Sequence, residues 1–153
     1  MDIALGADVV LKVKLNPEAR EKGLLLPSYS REGDAGLDLR ALEDVDIKPG
    51  ERRLIGTGMH LAIPSGFVGI IKDRSGLALK QGIHIMAGVI DSNYRGEIKV
   101  VVLNTAAENY HVETGQRVAQ MLILPVARVK IEESSSLDAT NRNENGWGST
   151  GRQ

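Results

Sequence analysis

The chain has no cysteine, one tryptophan, one phenylalanine and three tyrosines among its 153 residues. The missing cysteines exclude disulfides and thiolate metal sites, though they fix no compartment. At this length one domain can bury a hydrophobic core without such staples. No charge sign dominates: 19 Lys and Arg stand against 20 Asp and Glu, a net −1. That balance removes the electrostatic case for nucleic acid or an anionic membrane as main partner. No apolar run approaches the ~20 residues that span a bilayer. The opening MDIALGADVVLKVKL lacks the basic start, long apolar core and cleavage-like site of a secretory signal. A soluble, cytoplasmic protein is the expectation. P-loops, dinucleotide fingerprints, zinc motifs and nucleophile elbows are all missing, and His60, His84 and His111 lack metal-ligand spacing.

What the chain does have is alternation. Leu11, Val13 and Leu15 alternate with lysines, and Leu37, Leu39 and Ala41 repeat the pattern. Met59, Leu61 and Ile63, then Ile98, Val100 and Val102, then Met121 and Ile123 continue it. Period two over four to eight residues is the signature of half-buried strands. Turn signals separate the runs at Pro49-Gly50, Pro64-Ser65-Gly66, Gln81-Gly82, Asp91-Ser92-Asn93, Arg95-Gly96 and Thr114-Gly115. An all-β fold follows, a sandwich, barrel or jelly roll. Helix is confined to two short pieces. NPEAREKG offers Asn16 as N-cap and Pro17 at the first helical position, and SGLALKQG offers Ser75 as cap and Gly82 as terminator. From about Glu132 the alternation fades. The expected organisation is a β domain over residues 1–133 and a flexible C-terminal arm over 134–153.

Five stretches are over-specified for strands and turns. DAGLDLRA (34–41) places Asp34 and Asp38 around a small-residue step; a turn capped by Asp34 is its plain reading. DRSGLA (73–78) sets Arg74 and Ser75 beside helix-start N–H groups, either a phosphate cradle or a simple cap. AGVIDSNYRGEI (87–98) reads as a strand, a tight turn and a strand, with Asp91 and Tyr94 at the bend. GQRVAQMLILP (115–125) puts Gln120 in an apolar strand, where a buried amide needs partners unless it lies at an exposed edge. GWGSTG (146–151) joins glycines, two hydroxyls and the lone Trp147, with Arg142 five residues before the ring. It is either a disordered tail or a segment that folds over a phosphorylated, planar ligand.

In this order the stretches resemble the five motifs of the homotrimeric dUTP diphosphatases (dUTPases), a likeness running from Leu26 to Gly151. The resemblance implies a distorted jelly roll of the β-clip type. It also implies a homotrimer with three active sites, each built from all three subunits. The family cleaves dUTP to dUMP and pyrophosphate with Mg2+, which keeps uracil out of DNA and supplies dUMP for thymidylate synthesis. Carried over, Asp91 is the general base on the attacking water, which demands fixed in-line geometry. Tyr94 packs against the deoxyribose, and the backbone from Ala87 to Tyr94, Gly88 and Val89 included, reads the uracil edge. Arg74, Ser75, Gly76 and Gln120 bind the phosphate chain. Asp38 holds Mg2+ through water, as suits a hard, strongly hydrated ion. Arg142, Gly148, Ser149 and Thr150 close on the terminal phosphates, and Trp147 stands where phenylalanine is usual, stacking on uracil.

The chain departs from the family pattern in two places. Asn143 and Asn145 replace glycines of the fifth motif, and asparagine tolerates left-handed backbone better than other non-glycine residues. Asp73 precedes Arg74 where proline is common. The dCTP deaminases, which share the fold, are the nearest alternative, but Gly76, Leu79 and Val101 stand where they carry serine, arginine and a catalytic glutamate. A nucleotide-sensing regulatory protein on this scaffold is a second alternative; it would not need a positioned base.

Overall fold

The computed structural model describes residues 9–141 and 143. Ten strands and two short helices follow in the order β1(Lys12–Leu15), α1(Pro17–Glu21), β2(Leu37–Arg40), β3(Val45–Ile47), β4(Arg52–Ala62), β5(Phe67–Lys72), α2(Ser75–Gln81), β6(Ile83–Met86), β7(Val89–Ile90), β8(Glu97–Asn104), β9(Tyr110–Val112) and β10(Arg117–Pro125). The pairings are antiparallel and form two four-stranded sheets, β1-β4-β8-β6 and β2-β10-β5-β7, with β3-β9 as a two-stranded ribbon. One hydrophobic cluster joins them: Ile55, Leu61, Val100 and Val102 from the first sheet, Leu39, Ile71 and Met121 from the second, and Ile47 and Val112 from the ribbon. This is the expected jelly-roll-like all-β fold. In β8 the alternation is literal, with Ile98, Val100 and Val102 buried between more exposed neighbours.

Both helices form near their predicted bounds. Asn16 caps α1 by accepting from the Ala19 N–H at 2.8 Å. The helix sits on β4 because Gly58, with φ of 66°, presents no Cβ to the fully buried Ala19; a side chain there would run into it. For α2 the expected cap is one residue out. Arg74 takes the N-cap position without a side-chain capping bond, and Ser75 is the first helical residue. Its guanidinium is engaged elsewhere, with Asp38. Gly82 ends the helix in the left-handed region, as its position in the sequence predicts.

The third stretch corrects a reading of the sequence. Residues 87–98 are not a hairpin: β7 pairs with β5 in the second sheet, whereas β8 pairs with β4 and β6 in the first. Consecutive positive φ angles at Ala87 (59°) and Gly88 (108°) turn the chain out of β6 and carry it across. A Cβ at Gly88 would press on the Ile71 carbonyl at 2.8 Å, so the crossing depends on glycine there. Asp91 and Tyr94 close the return turn through a backbone bond of 3.1 Å. After Pro125 the chain is exposed and without helix or strand through Asn141.

Asn104 ties the end of β8 to β3 and to the loop before β9. Its fully buried amide donates to the Ile47 and Glu108 carbonyls at 2.9 and 2.8 Å and accepts from the Ala106 N–H at 2.9 Å. Asn104→Ala leaves those groups without partners, and a stability loss on the order of 3 kcal/mol is expected. Urea unfolding checks it; a loss below about 1 kcal/mol would mean that water replaces the amide.

Candidate active site

β10 lies inside its sheet, not at an edge. Gln120 stands opposite Asp38 on β2 and opposite Lys72 on β5. Directly opposed residues share a face, so this row looks away from the core while Leu39, Ile71 and Met121 look into it. The alternation of LDLR and AQMLIL therefore aims three polar side chains outward across adjacent strands. They floor a cavity of about 810 Å3, whose walls include Arg31, Arg74, Ser75, Gly76 and Arg117.

Asp38 is the hub. Although it faces outward, only 9% of its surface is exposed. Ser30 donates to Oδ2 at 2.7 Å, Arg117 to Oδ2 at 3.1 Å and Arg74 to Oδ1 at 3.0 Å. Burial by itself raises the carboxyl pKa; the hydrogen bonds from Ser30 and Arg117 and the charges of Arg74 and Arg117 outweigh it and hold it below its ordinary value. Ser30 reaches the carboxylate because the segment before β2 folds over the strand, with the Asp38 N–H donating to the Ser28 carbonyl at 3.2 Å. Asp34 does what its plain reading says, accepting from the Arg31 N–H at 2.9 Å to close a turn.

Gln120 finds its partner in the Asp73 carbonyl, 2.7 Å from Nε2. Its amide lies over Gly36, where an added Cβ would collide with Oε1. Asp73 itself, unaccounted for in the motif pattern, has a structural job. Its Oδ1 accepts from the Ile85 N–H at 2.7 Å and its Oδ2 pairs with His84 Nδ1 at 2.8 Å. Burial pushes the Asp73 carboxyl up, but bonds from His84 and Ile85 and the charges of His84 and Lys72 hold it below the ordinary value.

The remaining predicted residues lie elsewhere. Asp91, Val89 and Tyr94 line a cavity of about 350 Å3 with Leu54, Glu97 and Lys99. Gly88 and Val89 line a smaller one of about 190 Å3. Neither shares a residue with the Asp38 cavity. Register explains the separation: Ile90 pairs with Gly69, which lies three residues, about 10 Å, before Lys72 on β5. The Asp91 side chain is exposed and makes no hydrogen bond or ion pair among the described residues. Tyr94 is fixed by donating its hydroxyl to the Glu97 carbonyl at 3.1 Å. Arg142, Trp147, Gly148, Ser149 and Thr150 lie outside the described residues, as does Asn145. Asn143 does adopt left-handed backbone, φ 44°, and exchanges two hydrogen bonds with Thr140 at 2.8 and 2.9 Å.

Sequence reading missed Arg117 and Ser30. Arg117 sits inside the fourth motif as quoted, one turn signal after Gly115, but nothing in its spacing announces Asp38 as its partner. A carboxyl with a depressed pKa contributes its stability above the ordinary value of 3.8 and loses it as pH falls through the lower folded value. Asp38→Asn is thus expected to cost on the order of 1–3 kcal/mol near neutral pH, with the gap to wild type closing in acid. Urea melts at about pH 7 and about pH 3 compare the two; equal gaps would place the lost stability outside the ionised carboxylate.

A family model for dUTPase matches residues 24–151. The chain is 49% identical over 146 residues to the deoxyuridine 5'-triphosphate nucleotidohydrolase of Anaplasma marginale, covering 93% of this chain and 99% of that protein. The enzyme of the same name from Cutibacterium acnes is 44% identical over 148 residues, covering 95% and 93%. Among solved structures, the dUTPase of Staphylococcus bacteriophage 80alpha with dUPNHPP superposes with a TM-score of 0.85 at 27% identity, covering 94% of this chain and 99% of that one. With the family model spanning most of its length and such relatives end to end, the chain belongs to the dUTPase family.

Proposed function

We infer that this chain, as a dUTP diphosphatase, cleaves dUTP to dUMP and pyrophosphate by attack of an Asp91-activated water on the α-phosphate. The observation that carries the residue assignment is the convergence of Arg74, Ser75, Gly76 and Gln120 on one cavity beside a fixed carboxylate, Asp38. Arg31, Lys72, Arg74 and Arg117 bring positive charge to that cavity, where a triphosphate needs it. Family membership supplies the substrate; the cavity supplies the chemistry that grips its phosphates.

The other half of the reading rests on the second cavity. Asp91 carries an exposed carboxylate with no competing partner among the described residues, the state a general base requires. The hydroxyl bond to Glu97 holds Tyr94 beside it, so the ring offers a fixed wall to the sugar. Gly88 and Val89 line the smaller cavity, which shares Val89 with this one and takes the base in this reading. The Asp38 and Asp91 cavities do not overlap in one chain, which supports a site in which a second copy brings its Asp91 half to the first copy's phosphate half. A homotrimer with shared sites fits that arrangement. Arg142, Trp147, Gly148, Ser149 and Thr150, from an arm over 134–153, would complete it.

Mg2+ fits the donor set in a particular way. No cluster of three or more His, Asp or Glu suited to a metal occurs among the described residues. An ion that keeps most of its water and binds the triphosphate needs only one or two carboxylates nearby. Asp38 offers one, with Oδ1 accepting a single hydrogen bond and so able to accept another from a metal-bound water. Bound there, Mg2+ would neutralise charge on the phosphate chain.

Asp91→Asn is expected to bind a non-hydrolysable dUTP analogue within a few-fold of wild type while turnover falls by on the order of 10²–10⁴. Wild-type turnover in that variant would overturn the general-base role. Across dUTP, UTP, dTTP and dCTP, pyrophosphate release is expected with strong preference for dUTP; equal release from UTP would remove Tyr94 as the sugar wall. Ammonia release from dCTP would restore the deaminase reading. Truncation after Thr140 is expected to cripple hydrolysis yet leave the oligomer intact by light scattering, and unchanged kcat/KM would make the arm a bystander.

A further inference from the structure

Asp73, next to the phosphate-gripping segment, reaches into both sheets. Its carboxylate takes the Ile85 N–H at 2.7 Å and pairs with His84 at 2.8 Å, both within β6 in the first sheet. Its carbonyl takes the Gln120 amide at 2.7 Å, from β10 in the second. The next residue, Arg74, bonds Asp38. Two side chains assigned to the phosphates therefore hang from a single residue, one through its carbonyl and one through the following peptide.

We propose that Asp73 is a positioning residue for phosphate recognition: by fastening the β5–α2 junction to β6, it sets where Arg74 and Gln120 stand. The proposal rests on the reading that Arg74 and Gln120 hold the phosphate chain. The junction's other restraints are the bonds of the Arg74 side chain to Asp38 and to the Arg117 carbonyl and the partly buried Leu77, which packs on the core; none of them holds the Asp73 peptide itself. α2 has no side-chain N-cap, and none of its residues is buried. Its first backbone bond runs from the Ala78 N–H to the Arg74 carbonyl at 3.0 Å and follows Arg74 wherever the junction goes. Without the carboxylate the Ile85 N–H loses its partner, and the Asp73 carbonyl is free to swing, taking the Gln120 amide off its place above Gly36. Asparagine can keep both contacts, since its amide oxygen accepts from the Ile85 N–H and its NH2 donates to the Nδ1 of a neutral His84.

The test uses the full-length protein, with dUMP and a non-hydrolysable dUTP analogue as separate probes. Asp73→Ala is expected to weaken the triphosphate analogue about tenfold and to raise KM for dUTP in proportion. Affinity for dUMP and kcat should each stay within about twofold, because the base-and-sugar half and Asp91 are untouched. Asp73→Asn should restore wild-type KM. His84→Ala, which removes one of the two tethers, should fall between. Equal weakening of dUMP and the analogue in Asp73→Ala, or failure of Asp73→Asn to rescue, would overturn the proposal by showing a general structural lesion. If Asp73→Ala does not fold, His84→Ala decides alone: an unchanged KM there overturns it. Arg74→Ala separates the two readings. An unchanged affinity for the analogue in that variant overturns the phosphate assignment, and the positioning role with it. Weakening in Arg74→Ala without weakening in Asp73→Ala overturns only the positioning role.

Discussion

The carboxylate of Asp38 is the interaction around which the candidate site is organised. It lies on the solvent side of its sheet, yet two arginines and a serine leave it almost no exposure. Arg74 and Arg117 come from different strands or their ends, and each would repel the other without the shared anion. One mostly buried charge thus draws together the segment before β2, the junction after β5 and the start of β10. Loss of the charge would free two cations at once, which is why so small a group matters to so wide a surface.

The sheet supplies the rest. Because β10 is paired on both sides, Asp38, Gln120 and Lys72 are fixed in one row, at the spacing of neighbouring strands. Each row-mate has its inward neighbour locked in the core, at Leu39, Met121 and Ile71. The backbone positions of this row are inherited from the close packing underneath. Where loops do contribute, they are fastened: Tyr94 by its hydroxyl, Asp73 by its carboxylate.

Much of this was legible in the residues. Alternation in IKVVVLN and LDLR determines which side chains face the core, and Asn16 and Pro17 announce α1 unaided. Gln120 in an apolar strand demands a partner, and it has one. Other features depend on long-range placement. The 87–98 stretch has every local mark of a hairpin, but pairing partners are chosen by the sheets, and the turn at Ala87 and Gly88 sends β7 to β5. Alternation says that Asp38 faces outward; it cannot say that Arg117, 79 positions on, will cover it. Asp73 looked like an unexplained substitution because its partners, His84 and Ile85, lie on a strand that sequence spacing does not bring near.

The two separate cavities carry a further consequence. On the shared-site reading, the unit of chemistry is not the chain but the seam between chains. A copy disabled at Asp91 still owns an intact phosphate half, and a copy disabled at Arg74 still owns an intact base. Mixed in one assembly, two inactive proteins could form a working site between them, so damage here combines by complementation and not by simple addition.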